Sequence, residues 1–126
     1  MDRARAPFDV DATLFELDAY GRLCAYIADE PAAHRLKARL PPGPGCRLPY
    51  FFLRGREQAA TGTLLKLHFV WPRLPADRAR LQRHAREFMG RRVRARVRPK
   101  PYPGRAGGPG GVALEVVTLT LLDALP

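Results

Sequence analysis

The feature that most constrains this sequence is a segment in which arginine alternates with small apolar residues. Residues 91–98 read Arg-Arg-Val-Arg-Ala-Arg-Val-Arg. Successive side chains of a β-strand point to opposite faces, so the spacing predicts a strand that buries Val93, Ala95 and Val97. The opposite face then carries the guanidinium groups of Arg92, Arg94, Arg96 and Arg98. Residues on one face of a strand lie about 6.6 Å apart, a spacing similar to that of phosphates along a polyanion.

Composition limits the chain to one domain with a modest core. It has 126 residues, of which 46% are hydrophobic and 27% are charged, values typical of a folded globular domain. The 11 glycines and 13 prolines require many turns and disfavour a long helical bundle. The hydrophobic content excludes wholesale disorder, and the many turns favour a fold built mainly from strands.

Charge is distributed unevenly along the chain. The formal net charge is +10, and residues 73–105 contain twelve basic residues against Asp77 and Glu87. Residues 1–20 are acidic, and we interpret them as an N-terminal extension that precedes a domain spanning residues 21–126. The extension either shields the basic surface while no partner is bound or is simply a solvated tail. The basic excess favours a polyanionic partner.

Periodicity and turn residues predict the remaining elements. Alternation favours a strand over residues 31–40, although Pro31 after Asp29 also permits a short helix. A helix is predicted over residues 75–89, with Gly90 where a C-terminal cap belongs. Further strands are predicted at residues 22–28, 48–54, 63–71 and 112–122, and loops at 41–45 and 99–111.

This layout resembles the OB-fold, a five-stranded Greek-key barrel with one helix between its third and fourth strands. The resemblance covers roughly residues 21–122 and concerns the order of elements alone. It implies a mainly β protein whose loops and outer face bind oligonucleotides. The hairpin around Tyr102 would be the loop between the fourth and fifth strands of that fold.

Candidate binding residues combine cations with aromatic rings, since a single strand offers both phosphates and base faces. Tyr26 and Tyr102 fall on predicted exposed positions and are the preferred stacking residues. Tyr50, Phe52 and Trp71 offer further ring surfaces, with Phe52 favoured as a core residue. The complete candidate set is Tyr26, Lys66, Trp71, Arg92, Arg94, Arg96, Arg98, Lys100, Tyr102 and Arg105.

Signatures of catalysis, metal binding and membrane insertion are not found in the sequence. The three histidines lie on separate segments without paired-ligand spacing, and Cys24 and Cys46 lack CxxC spacing. We therefore expect no catalytic residues, no metal site and no cofactor, and we interpret both cysteines as buried thiols. The N-terminus has no apolar signal-peptide region, and no apolar run is long enough to span a membrane. A cytoplasmic location without membrane partners is expected.

These observations predict a non-catalytic protein that binds single-stranded nucleic acid, with DNA slightly favoured over RNA. Replication, repair and recombination are the candidate processes. The alternative is a protein-interaction subunit of a larger nucleoprotein assembly, which would use the basic face against an acidic partner or a ribonucleoprotein surface. A homo-oligomer is compatible with either interpretation.

Overall fold

The structure is a computed structural model of the chain. It describes residues 6–18, 21–40, 47–56, 58, 62, 64–104, 106, 108 and 110–124. Within these ranges the elements, in chain order, are β1 (Phe8–Leu17), β2 (Leu23–Ile27), α1 (Glu30–Arg39), β3 (Tyr50–Phe52), β4 (Leu65–Phe69), α2 (Pro75–Glu87), β5 (Arg92–Tyr102) and β6 (Gly111–Leu121), followed by a 3-10 helix at Leu122–Ala124.

All six strands belong to one antiparallel sheet in the order β3-β4-β2-β1-β5-β6. The sheet curls, because isolated parallel bridges join β6 to Arg47, before β3, and to Val70, directly after β4. The Val70 amide donates to the Leu114 carbonyl at 2.8 Å. No full strand ladder closes the described sheet into a barrel.

A mainly β fold is therefore confirmed, whereas the five-stranded barrel and the placement of its helix are not. The described chain has six strands, and it has helices both between β2 and β3 and between β4 and β5. No helix in the described ranges is long and apolar enough to cross a membrane.

The acidic start of the chain contributes a central strand. Residues 8–17, which the sequence assigned to an extension outside the domain, form β1 between β2 and β5. Val10, Ala12 and Leu14 alternate inward and are buried. The carboxylates at the intervening positions gave this segment the composition of a solvated tail and concealed its period of two.

The preference for a strand over residues 31–40 is wrong, because this segment is helix α1. The Asp29 carboxylate accepts a hydrogen bond from the Ala32 amide at 2.9 Å, as an N-cap residue does, and Pro31 lies in the first turn. Ala32, Ala33 and Leu36 are buried along one side of the helix. The alternating apolar residues of this segment were compatible with either element, and the capping residues decided the outcome.

The predicted loop over residues 99–111 is shorter in the structure, because β5 continues to Tyr102. Pairing of β5 with β1 ends at Val97, and beyond that residue β5 pairs with β6 alone. Proline lacks an amide donor and is tolerated where a strand is at an edge. Pro99 and Pro101 can therefore continue the strand.

The core fills the inner side of the curled sheet. Phe69, Leu67 and Leu65 of β4 are fully buried, and α2 adds Leu81 and Ala85. Every second residue of β5 also points into this core, which leaves the alternate residues of each strand on the outer face of the sheet.

Candidate nucleic-acid interface

The cations of β5 all point to the outer face, as the alternation predicts. Val93, Ala95 and Val97 have no solvent exposure, and the residues between them are exposed. The five outward cations of β5 are Arg92, Arg94, Arg96, Arg98 and Lys100.

Four of these five cations are paired with carboxylates of the same protein. Two nitrogens of Arg94 donate to the two carboxylate oxygens of Asp11, at 2.8 and 3.1 Å, and Arg96 lies 3.3 Å from Asp9. Arg98 and Lys100 share Glu115, at 3.4 and 2.8 Å. We call Arg94, Arg96, Arg98 and Lys100 the paired cations. From the sequence these cations are predicted to bind a polyanion, and shielding of the basic surface is one of the two predicted roles of the acidic residues 1–20.

Strand register explains the pairing. Asp11 lies directly opposite Arg94 and Asp9 directly opposite Arg96 across β1 and β5, and Glu115 lies opposite Arg98 across β5 and β6. Opposite charges at such positions attract, and they relieve the repulsion between guanidinium groups on one strand. The acidic residues at the start of the chain therefore neutralise part of the basic strand.

The Asp11–Arg94 pair stabilises the charged forms of both groups. Hydrogen bonds from Arg94 lower the pKa of Asp11 against the opposing effect of burial, and the charges of Arg94, Arg35 and Arg92 lower it further. The hydrogen bond and charge of Asp11 in turn raise the pKa of Arg94. Both partners stay charged, so the pair persists at neutral pH.

The fifth outward cation, Arg92, belongs to a different arrangement. Its guanidinium forms no ion pair or hydrogen bond with any residue that the structure describes. Arg92 belongs to a line of residues that lie directly opposite one another across successive strands, and the other members are outward residues of four other strands. We call this set the cross-strand row; in spatial order it comprises Phe51 (β3), Lys66 (β4), Tyr26 (β2), Thr13 (β1) and Arg92 (β5). Neighbouring strands are about 4.8 Å apart, so the row is about 19 Å long.

Aromatic rings surround the lysine of this row. The rings of Phe15 and Tyr26 stack with centroids 3.9 Å apart and an interplanar angle of 5°. The Lys66 Nζ lies 5.3 Å from the Phe15 ring centroid and 6.0 Å from that of Phe51. Phe15 occupies a β-bulge between Leu14 and Glu16, which removes it from the ladder and leaves its side chain beside Tyr26. The result is a surface on which aromatic rings flank Lys66.

Two aromatic residues of the candidate set, Trp71 and Tyr102, lie away from the row. Trp71 is partly buried against the core, and its Nε1 donates to the Gly21 carbonyl at 2.7 Å. Tyr102 is 43% exposed, but it lies ten residues along β5 from Arg92, where its hydroxyl approaches Gly111. Arg105 lies outside the described residues. The structure thus brings together Tyr26, Lys66 and Arg92 from the predicted set.

Sequence reasoning missed the rings of Phe15 and Phe51. Tyr50 is buried, and its hydroxyl donates to the Leu40 carbonyl at 2.5 Å, which fixes the inward parity of β3. Phe51, opposite Lys66, is therefore the outward ring, with 47% of its surface exposed. Phe52 pairs with Leu65 and lies on the other face. In the sequence, only the alternation of β3 could have shown which of its residues point outward. A run of three aromatic residues does not show which of them is buried.

Two positions along the strands from the row, three potential metal ligands lie together. One ligand atom each from Asp18, Cys24 and His68 lie within 4.8 Å of one another. Burial lowers the pKa of His68, and the charges of Arg22 and Lys66 add to this effect. Burial likewise raises the pKa of the Cys24 thiol. His68 also contacts the cross-strand row, since its ring centroid lies 6.3 Å from that of Phe51.

Comparison with protein-family models, curated proteins and solved structures gives no match for this chain.

Proposed function

We propose that this protein binds single-stranded nucleic acid on the outer face of its sheet. The observation that carries the proposal is the cross-strand row, in which Phe51, Lys66 and Tyr26 lie side by side. Proteins that bind single strands combine stacking rings with cations along the backbone path, and each stacked base contributes about 1–3 kcal/mol. The row supplies both kinds of group within one surface.

In this proposal Lys66 and Arg92 bind phosphates more readily than the paired cations do. Neither residue has an ion-pair partner among the described residues, so neither must first release a carboxylate. The paired cations remain exposed and extend the positive surface beyond the row. The pairs of Arg96 with Asp9 and of Arg94 with Asp11 are exposed or partly exposed, so they are weak and screened by salt, and phosphates compete with these carboxylates. Glu115 is buried, so Arg98 and Lys100 are released less readily, because its charge would be left unpaired.

A relationship to OB-folds forms part of the proposal. If α1 and β3 are set aside as an insertion, the other five strands have the order β4-β2-β1-β5-β6, with α2 between the third and fourth in the chain. The parallel bridge between Val70 and Glu115 supports closure of such a barrel. OB-folds bind oligonucleotides on the face of their second and third strands. The corresponding strands here are β2 and β4, which carry Tyr26 and Lys66.

The experiment is a fluorescence-anisotropy titration with single-stranded and duplex oligonucleotides of equal length over a series of salt concentrations. We expect tighter binding of the single strand, with log K falling against log salt by about 0.7 for each neutralised phosphate. Lys66→Glu is expected to abolish binding at moderate salt. Lys37→Glu is the matched control, because Lys37 lies on α1 near Phe52, on the other side of the sheet. Absence of single-strand binding at low salt, or equal effects of the two variants, would contradict the proposal.

A protein-interaction role is the second candidate, and the edge strand β3 favours it. Phe51 and Phe52 are 47% and 39% exposed on a strand whose outer edge is unpaired within the described sheet. An assembly subunit would co-purify with its protein partner and show little affinity for free oligonucleotide. Displacement of bound oligonucleotide by heparin distinguishes the first candidate from this one.

A further inference from the structure

We propose that Asp18, Cys24 and His68 form a binding site for one divalent transition-metal ion of the Zn²⁺ type. One ligand atom from each residue lies within 4.8 Å of the other two. A metal ion that bonds to thiolate sulfur at about 2.3 Å and to nitrogen or oxygen at about 2.0–2.2 Å requires ligands at such separations. This inference does not depend on nucleic-acid binding.

The fold brings His68 of β4 to two residues from the β1–β2 region, Asp18 and Cys24, which lie close together in the sequence. Cys24 on β2 lies directly opposite His68 on β4. Asp18 follows β1 in the turn that leads to β2, where its amide donates to the Arg22 carbonyl at 2.9 Å. Spacing along the chain gave no indication of a metal site, because His68 is distant in sequence from Asp18 and Cys24 and the three residues form no local motif.

The donor chemistry favours zinc over calcium or magnesium. Thiolate and imidazole are ligands of borderline and soft metals, whereas calcium and magnesium prefer sets made of oxygen alone. Three protein ligands also match the pattern of zinc sites in which water occupies the fourth position. The cluster lies on the outer face of the sheet, so Asp18 and His68, which are only partly buried, provide access for the ion.

Arg22 acts as an outer-shell partner in this site. Its backbone amide and its Nε donate to the two carboxylate oxygens of Asp18, at 2.9 and 2.7 Å. Such hydrogen bonds fix the orientation of a ligating carboxylate, and their removal typically costs about 10–100-fold in metal affinity. The carboxylate is thereby held toward Cys24 and His68.

Titration of the reduced full-length protein with Co²⁺, followed by absorption spectroscopy, tests the proposal. We expect saturation at one Co²⁺ per chain, a thiolate-to-Co²⁺ charge-transfer band, and visible bands of a tetrahedral ion. Zn²⁺ is expected to displace the cobalt and remove the bands. Absence of a charge-transfer band at excess Co²⁺ would overturn the proposal.

Matched variants identify the ligands. Cys24→Ser is expected to lose the charge-transfer band. His68→Gln is expected to lower Co²⁺ affinity by more than the roughly 10–100-fold that loss of an outer-shell partner costs. Cys46→Ser and His34→Gln are the controls and should bind Co²⁺ like the wild type. Retention of the band by Cys24→Ser overturns the site. If circular dichroism shows that Cys24→Ser does not fold, His68→Gln decides alone, and unchanged affinity overturns the proposal.

Discussion

The two halves of the outer face differ in what lies beside their cations. On β5, the arginines that look most available in the sequence lie opposite carboxylates of β1 and β6. On β4, Lys66 lies opposite Phe51 and Tyr26, and its ammonium is near rings instead of carboxylates. Strand parity sets the direction of a side chain, whereas the register of neighbouring strands determines its partners.

This difference changes which half is expected to bind a ligand first. A paired arginine must exchange one anion for another, so its net gain on binding a phosphate is reduced. A lysine between rings has no carboxylate to release before it binds phosphate, and the rings beside it offer stacking surfaces for bases. The cross-strand row is therefore the centre of the proposed interface, and the paired cations form its periphery.

The largest effect expected from the removal of a single ring separates the two faces of β3. Phe51→Ala removes an outward ring from the row and is expected to weaken binding of a single-stranded oligonucleotide by about 1–3 kcal/mol, the contribution of one stacked base. Phe51 is exposed and lies outside the core, so the variant should fold normally. Affinity is measured by anisotropy at fixed salt.

Phe52→Ala is the matched control for this prediction. It removes the same side chain one position away, on the opposite face of the strand. Its affinity should equal that of the wild type. Equal losses in both variants would mean that β3 acts through general hydrophobic contact, as the protein-interaction candidate requires.

A second prediction concerns an aromatic residue outside the row. Trp71→Phe removes the hydrogen bond to the Gly21 carbonyl and is expected to lower the free energy of unfolding by about 0.5–1.5 kcal/mol. Oligonucleotide affinity should be unchanged, because Trp71 packs against the core. Denaturant unfolding and anisotropy measure the two quantities. Normal stability together with lost oligonucleotide binding would contradict this prediction and show that Trp71 belongs to the interface.

Neutralising the carboxylates of β1 should reduce the difference between the two halves. In the double variant Asp9→Asn and Asp11→Asn, Arg94 and Arg96 lose their ion pairs, and affinity for single strands is expected to rise a few-fold with a steeper salt dependence.

The control is Asp77→Asn with Glu87→Gln, which changes net charge equally on α2 and releases Arg80 from Asp77. An equal gain in both double variants would show that net charge alone determines binding. Reversing Arg94 and Arg96 to Glu is a less clean test, since it would place like charges beside Asp11 and Asp9.

The smallest expected effect is a pH dependence of stability. The pKa of Asp11 is lowered in the folded protein, so its contribution is present above the unfolded pKa of about 3.9 and is lost as pH falls through the folded value. Wild type should therefore exceed Asp11→Asn in thermal stability at neutral pH, and the difference should shrink in acid. A difference that stays constant with pH would show that the ion pair is not its source.

Local patterns predicted the elements that depend on local chemistry. The alternation of residues 91–98 predicted β5 and its outward arginines. The predicted helix is confirmed over Pro75–Glu87, but its C-cap is Phe88, and Gly90, with φ +81°, lies two residues further on. The sequence did not reveal β1, because Asp9 and Asp11 suggested a solvated tail until their partners on β5 were known. Likewise, the outward position of Phe51 depends on the register between β3 and β4, which is a long-range property.

The location of a bound oligonucleotide tests the account most directly. In an isotope-labelled sample titrated with a short single-stranded oligonucleotide, we predict that the largest amide shift changes occur at Tyr26, Phe51, Lys66 and Arg92. Smaller changes are expected along the paired cations from Arg94 to Lys100. Shifts that leave the cross-strand row unchanged, or no shifts at low salt, would contradict the account.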